Sequence, residues 1–286
     1  MINIIIILII LFLYLYLYKI RFYENYNDFN FLRPNYWSTL GFNDKLIIYG
    51  KQLNKNHSLF ADKYNVKFYI KNLNIKDLHI VKTLKVLDNN TDLKLHELPQ
   101  NCVIKSNLGS GDVIIIKDSK IVKMIARNQK TNTYNEWKKK VLVPLDWRPQ
   151  LEGHYKYIKP KIFVEEYLGN NLNDYKFFCM NGKVIFILFI DNIKKCRNIY
   201  DTEFNLQPYK KKYNNCSHKV KKPKNFYKMI KIAENLSKPF PFVRIDLYNI
   251  NNKVYFGEYT FVPAAAEKSH IITPLRYDKL IGSYFK

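Results

Sequence analysis

The sequence predicts an α+β chain preceded by one N-terminal transmembrane helix, and three observations carry that reading. The segment 241-PFVRIDLYNINNKVYFGEYTF-261 alternates with the period of a strand on either side of an asparagine-rich turn. Asn181-Gly182 stands between two apolar runs and signals a hairpin, whereas Phe226, Met229, Ile230, Ala233 and Leu236 recur at helical spacing after Pro223. Residues Ile2 to Tyr18 carry no charge and are followed by Lys19 and Arg21.

Taken in order, the apolar run extended by Ile20, Phe22 and Tyr23 comes close to the ~30 Å hydrocarbon core at about 1.5 Å per residue. It lacks the basic leader and small-residue cleavage site of a signal peptide. Its tyrosines suit an interfacial belt, and the positive charges after it place the body in the cytoplasm. Residues 1–23 are therefore read as a single-pass signal-anchor. A lead-in follows over 24–98. Residues 24–60 are aromatic and polar and read as short helix, 61-ADKYNVKFYI-70 as a compact basic-aromatic helix, and Asn89-Asn90-Thr91-Asp92 as a turn. The stretch 98–124 reads as strand Cys102–Lys105, a glycine-bearing loop Asn107–Gly111, strand Val113–Lys117 and strand Lys120–Met124. A helix around Trp137 ends at Pro144 and Pro149. Next comes a strand running into Glu165-Glu166-Tyr167-Leu168, then a pair turned at Asn181-Gly182 that sets Lys176 on one face with Asp174 and Phe178. The basic run Lys194–Lys224 reads as a loop over the site, and Pro239 and Pro241 end the helix that follows.

A length of 286 residues allows a sizeable core, and the formal charge of +23 implies an anionic partner. Nucleic acid, a membrane surface and a polyanionic small molecule or polymer compete for it; no nucleic-acid module accompanies the charge, which makes nucleic acid the least favoured. A solvated basic face also describes the densest run. Cys102, Cys179, Cys196 and Cys216 show no CxxC spacing, so neither a zinc site nor a disulfide is expected, and a reduced compartment fits.

The chemistry concentrates on the last hairpin. Alternation puts Arg244, Asp246 and Tyr248 on one face, and Phe256, Glu258 and Thr260 on one face of the returning strand. If the turn closes as a three-residue loop, Asp246 faces Glu258 and Arg244 faces Thr260. Paired carboxylates need a cation between them, and hard oxygen ligands suit Mg²⁺, which brings phosphates with it. Taken alone, the same pattern also describes a hairpin whose charged face meets water. In the Gly109-Ser110-Gly111 loop, backbone N–H groups can approach phosphate oxygens closely, with Lys105 adding a charge. Gly-Ser-Gly is more often an ordinary hairpin turn, and no P-loop is present.

In their order, 61-ADKYNVKFYI-70, 98-LPQNCVIKSNLGSG-111, 159-KPKIFVEEYL-168, 174-DYKFFCMNGK-183, 223-PKNFYKMIKIAENLS-237 and 241-PFVRIDLYNINNKVYFGEYTFVP-263 resemble the TupA-like ATP-grasp family. The resemblance covers nearly everything after the anchor. It implies an ATP-grasp fold of two α+β lobes, a small one over 99–166 and a large one over 167–286, with ATP between them. It implies Mg²⁺ on Asp246 and Glu258, with Thr260 where many relatives place a third ligand, an asparagine. Arg244 would neutralise the phosphoryl group or the reacting carboxylate, and Lys176 would add a phosphate contact. Lys63 and Lys105 match the phosphate lysines, Asn107, Gly109, Ser110 and Gly111 the covering loop, and Glu165, Glu166, Tyr167 and Leu168 the segment that reads adenine. Two positions depart from the family pattern: Leu108 replaces a histidine, and Ala264-Ala265-Ala266 stands where a glycine is expected. The implied reaction joins a carboxylate to an amine through an acylphosphate, in cell-surface polysaccharide biosynthesis. The implied acceptor is an anionic saccharide or lipid-linked glycan, with an amine donor. A nucleotide-sugar glycosyltransferase and a catalytically silent binding module are the rival readings.

Overall fold

The computed structural model describes residues 29, 31–90, 92–109, 111–143, 151–170 and 172–286, so the anchor expected at 1–23 lies outside them. Among the described residues no helix is long and apolar enough to cross a membrane. Helices α1 (Phe42–Gly50), α2 (Lys55–Ala61) and α3 (Val66–Asn72) come first. Asn54 starts α2 by accepting the Asn56 N–H at 2.9 Å, while its own N–H reaches the His57 ring at 3.2 Å. Strands β1 (Leu78–Ile80) and β2 (Thr83–Leu87) follow, then β3 (Cys102–Ser106), β4 (Val113–Lys117), β5 (Lys120–Ala126) and β6 (Gln129–Lys130). Helix α4 (Tyr134–Leu142) begins at Thr133, whose hydroxyl accepts the Glu136 N–H at 3.1 Å. Then come β7 (Ile162–Glu166), β8 (Asp174–Met180), β9 (Lys183–Asp191), β10 (Cys196–Tyr200) and β11 (Lys210–Lys211). Helix α5 (Phe226–Ser237), β12 (Phe242–Ile250), β13 (Lys253–Thr260), β14 (Ile272–Thr273) and α6 (Leu275–Tyr284) complete the chain.

Two six-stranded sheets result, ordered β2-β7-β3-β4-β5-β6 and β1-β13-β12-β8-β9-β10. In the small lobe, Cys102, Ile104, Ile114, Ile116, Ile162 and Val164 alternate onto one face and bury it under Trp137 and Val141 of α4. The opposite face carries Lys105 and Glu165. In the large lobe, α5 lays its apolar stripe of Phe226, Met229, Ala233 and Leu236 into the core beside the sheet, as its spacing predicts. The described residues of the lead-in expected over 24–98 divide between the lobes, β2 going to the small sheet. Phe42 and Tyr49 of α1 join the large-lobe core, with Phe42 at 5.4 Å from the Phe242 ring and Tyr49 at 5.7 Å from Phe285. The buried Lys45 ammonium closes the C-terminus by donating to the Gly282 and Phe285 carbonyls, each at 2.9 Å. β1 pairs parallel with β13 and β2 antiparallel with β7, so Val81-Lys82 crosses from one sheet to the other, and the chain crosses again between β7 and β8.

The central hairpin reaches the expected register by a different route. Its loop has two residues, Asn251 and Asn252, with φ of 50° and 61°, so Ile250 pairs with Lys253. A bulge at Gly257 then shifts the ladder by one, and beyond it Asp246 pairs with Glu258 and Arg244 with Thr260. A side chain at Gly257 would meet the Asp246 carbonyl at 2.9 Å and Tyr248 Cε2 at 3.1 Å, which explains the glycine. The bulge also moves Phe256 off the face of Glu258: it pairs with Leu247 and is buried in the core.

The reading that no disulfide forms is corrected as well. Cys196 and Cys216 are bonded, their Cα atoms 4.9 Å apart across 20 residues. Their wide spacing gives no sequence signature; the return of the chain alongside β10 brings them together, where the Cys216 N–H donates to Asn198 Oδ1 at 2.9 Å. Cys102 and Cys179 are buried free thiols.

Candidate active site

One transverse row of the large sheet reads Glu258 on β13, Asp246 on β12 and Lys176 on β8. The next row sets Thr260 beside Arg244. Cross-strand partners share a face, so register alone gathers these groups. The Arg244 Nε donates to Asp246 Oδ1 at 2.6 Å, and its Nη2 donates to Asp246 Oδ2 at 2.7 Å and Glu258 Oε1 at 2.9 Å. The Lys176 ammonium donates to Asp246 Oδ2. Lys63, on the turn before α3, lies 3.1 Å from Glu258 Oε2 and also donates to the Gly109 carbonyl. It therefore ties the glycine loop of the small lobe to the carboxylate pair of the large one. The Thr260 hydroxyl donates to Glu258 Oε1 at 3.3 Å.

Three cations, Lys63, Arg244 and Lys176, surround two carboxylates. At Glu258, burial would raise the carboxyl, but Lys63, Arg244 and Lys176 outweigh it and hold the group well below the usual range. At Asp246 burial wins and pushes the carboxyl up, against Arg244 and Lys176. Burial likewise opposes the charge of Arg244, and the two carboxylates overcome it. The donor set suits a divalent hard cation: carboxylate oxygens from neighbouring strands converge on one Arg244 nitrogen, with the Thr260 hydroxyl beside them. The cations now bonded to them are also what would neutralise a polyphosphate.

A second ionic group lies on the face of the small sheet opposite its apolar core, with Glu165 buried. The Lys105 ammonium is 2.6 Å from Glu165 Oε2, and Lys67 of α3 pairs with Glu165 Oε1. Lys67 also donates to the Val81 carbonyl and the Thr83 hydroxyl, each at 2.9 Å. Burial pulls Lys67 down; at Glu165 burial is outweighed by Lys105 and Lys67, which hold the carboxyl low. Glu165 thus keeps two lysines directed at the inter-lobe face.

The remaining positions divide by what their side chains already hold. Asn107 is fully buried and braces the loop. Its Nδ2 donates to Asp62 Oδ2 and the Lys159 carbonyl, each at 3.0 Å, and its Oδ1 accepts the Lys161 N–H at 2.8 Å. Leu108 is buried in the core. Gly109 and Gly111 adopt φ of 65° and 79°, which their lack of Cβ permits, and Ser110 lies outside the described residues. Glu166 accepts the Lys82 N–H at 2.9 Å. The Tyr167 hydroxyl and Lys117 both donate to Asn170 Oδ1, and Leu168 is half-buried beside them. These contacts fix the 167–170 crossing against the small lobe. Sequence reasoning missed Lys67, although it falls one helical turn after Lys63, and it missed Arg197 and Lys211. The Arg197 guanidinium stacks on the Tyr213 ring at 3.8 Å; Lys211 is only 5% exposed. An open cleft of about 780 Å³ flanks the site between α3 and the β1–β2 segment, lined by Lys67, Phe68, His79 and Lys82 among others, and contains none of the hairpin carboxylates.

The model of the TupA-like ATP-grasp family matches residues 45–286. Among solved structures, D-alanine–D-alanine ligase from Helicobacter pylori matches at 15% identity and a TM-score of 0.42, over 79% of this chain and 60% of that one. The Bacillus anthracis D-alanine–D-alanine ligase complexed with ATP matches at 15% identity and 0.42, over 79% and 63%. An L-amino acid ligase from Bacillus licheniformis matches at 13% identity and 0.43, over 81% and 51%. The chain thus spans about three-fifths or less of the length of these ligases. No curated protein matches it.

Proposed function

The chain belongs to the TupA-like ATP-grasp family, and from that membership we propose that it is an ATP- and Mg²⁺-dependent ligase joining a carboxylate to an amine. The observation that carries the reading is the convergence of Asp246 and Glu258 on Arg244, with Lys63 linking that pair to the glycine loop. Asp246 and Glu258, with Thr260 beside them, would hold Mg²⁺, which when bound supplies charge neutralisation at the terminal phosphates. Lys63 and Lys105 bind phosphate oxygens, and Glu165 keeps Lys105 aimed at them. Arg244 orients the carboxylate and offsets charge as it moves to the transferred phosphoryl group, with Lys176 alongside. An acceptor carboxylate oxygen attacks the γ-phosphorus and the bond to ADP breaks. The amine nitrogen then attacks the acyl carbon, the bond to phosphate breaks, and the amine proton leaves to solvent. No side-chain nucleophile is required.

We take the acceptor to be an anionic saccharide or lipid-linked glycan, because +23 of net charge favours a polyanion. Residues 1–23 would hold the body at the cytoplasmic face of a membrane; removal of these residues should release the protein from the membrane fraction. The reaction is tested by incubating Mg-ATP with a panel of uronate saccharides and hydroxylamine as the amine. ADP, phosphate and hydroxamate appearing together support a ligase. UDP release from UDP-sugars without ATP consumption would replace it with a glycosyltransferase.

A further inference from the structure

The basic segment over the site contributes two cations that the pairing at Asp246 and Glu258 leaves unused. Arg197 on β10 lies in the same transverse row as Asp174 and Tyr248, through the pairings Arg197–Ile190, Ile190–Asp174 and Asp174–Tyr248. Its guanidinium lies over the Tyr213 ring, and among the described residues it makes no salt bridge. Lys211 on β11 is buried, and its ammonium donates to the His270 carbonyl; it too makes no salt bridge among the described residues. Asp278 acts on Lys211 from α6, yet it also accepts the Asn43 N–H at 3.4 Å. Asp174 acts on Arg197 and accepts from Asn192 Nδ2 at 3.3 Å. Both cations repel Arg244, so the three lie within electrostatic reach of one another. Burial, with Arg244 and Arg197 adding, pulls the Lys211 ammonium down to about 8.

These cations are held in place rather than trailing in solvent. The Cys196–Cys216 disulfide starts at the residue before Arg197, and Lys210–Lys211 pairs with Ile272–Thr273. A buried ammonium is costly unless an opposite charge meets it. Here the like-charged neighbours Arg244 and Arg197 oppose the Lys211 ammonium further, and Arg244 is the group assigned to the reacting carboxylate.

We propose that Arg197 and Lys211 bind a second anionic group of the acceptor, a carboxylate, phosphate or sulfate distinct from the carboxylate activated at Arg244. The acceptor is then at least a dianion. This rests on the ligase reading, because that reading places the acceptor beside Arg244. It also gives the segment Lys194–Lys224 a part in substrate selection.

The test uses the full chain saturated with Mg²⁺ and the non-hydrolysable ATP analogue AMPPNP, so that all three nucleotide phosphate positions are filled. Sulfate is titrated as the probe, with acetate in parallel to separate a tetrahedral oxyanion from a carboxylate. Sulfate or acetate should still bind, and Arg197→Gln and Lys211→Met should each weaken that binding at least tenfold while AMPPNP affinity stays within twofold. Lys211→Arg should retain most of it. Without anion, Lys211→Met should melt no lower than the wild type, because it removes a buried, unmatched charge. The proposal is overturned if neither anion binds the AMPPNP complex, or if both variants bind them as tightly as the wild type. It is also overturned if AMPPNP binding falls tenfold in the variants, which would assign the cations to nucleotide phosphates. If AMPPNP fails to bind the wild type at all, the ligase reading falls first and the acceptor site with it.

Discussion

At Glu258 a single carboxylate answers to Lys63, Arg244 and Thr260 at once. Glu258→Gln should cut ATP turnover by about 100-fold or more, through lost phosphate positioning. It should also lower stability by about 1–3 kcal/mol, because Lys63 and Arg244 lose a charged partner; a turnover assay beside a melting curve separates the two. Lys105→Ala should weaken nucleotide binding about tenfold, read by calorimetry, while acceptor affinity is little changed, because its ammonium faces Glu165 on the small-lobe side. Asp246, Glu258, Arg244 and Thr260 were legible in the sequence because strand alternation and one turn fix which side chains share a face. Lys67, Arg197 and Lys211 were not. Their proximity to the site comes from α3 lying over β7, from the pairing of β10 into the large sheet and from the return of the chain alongside β10, and no local period records that. The Asn107 side chain illustrates the opposite limit: its place in the loop was legible, whereas its commitment to Asp62, Lys159 and Lys161 needed tertiary structure.

The β12–β13 hairpin shows how an element can be right in outcome and different in construction. A two-residue turn plus a bulge gives the same pairing of Asp246 with Glu258 as a three-residue turn would. The residues from Lys253 to Phe256 tell the two apart, because the bulge reverses the faces between Gly257 and the turn. Gly257→Ala should therefore disturb the Asp246–Glu258 pairing proposed to hold Mg²⁺. Its Cβ would press on the Asp246 carbonyl at 2.9 Å, and overpacking of this kind costs about 1–3 kcal/mol. A lowered melting temperature together with weaker Mg-nucleotide binding is expected; unchanged values for both would remove the role given to the bulge. The disulfide was hidden from spacing rules because its cysteines are 20 residues apart. A cross-link over a loop of that size contributes about 3 kcal/mol by limiting the unfolded chain, so Cys196→Ser should lower the melting temperature by several degrees, measured without reductant. The wild type treated with reductant should move the same way.

Across the whole molecule, the described chain passes between the lobes at Val81-Lys82, between β7 and β8, and through Tyr155 and Ile158, which join the large-lobe core before β7, while Lys63 links the glycine loop to Glu258. Helices α1, α2 and α3 belong to the large-lobe core rather than to an appendage. Sequence order alone could not show this, since α1 packs against α6 from the far end of the chain. The same packing buries His57 and His154 among aromatic rings, at 4.9 Å and 5.7 Å from Phe261. Burial pulls both imidazoles from 6.5 to about 3, with His57 adding to the effect at His154. The unfolded chain binds protons below about 6.5 while the folded chain does not until about 3, so stability falls as pH drops through that window and is unaffected by these groups above it. His154 has no hydrogen-bond partner on either ring nitrogen among the described residues. His154→Leu should therefore flatten the acid side of a melting-temperature profile without lowering it at pH above about 7; an unchanged slope would contradict the assignment.

The account rests on the hairpin carboxylates gripping a nucleotide-bound metal between the lobes. Calorimetric titration of AMPPNP into the wild type and Asp246→Asn, each with Mg²⁺ and with EDTA, tests that most directly. The account predicts tight binding to the wild type only with Mg²⁺, and a loss of at least tenfold in Asp246→Asn that Mg²⁺ does not restore. Equal binding by both proteins, or wild-type binding indifferent to EDTA, would contradict it.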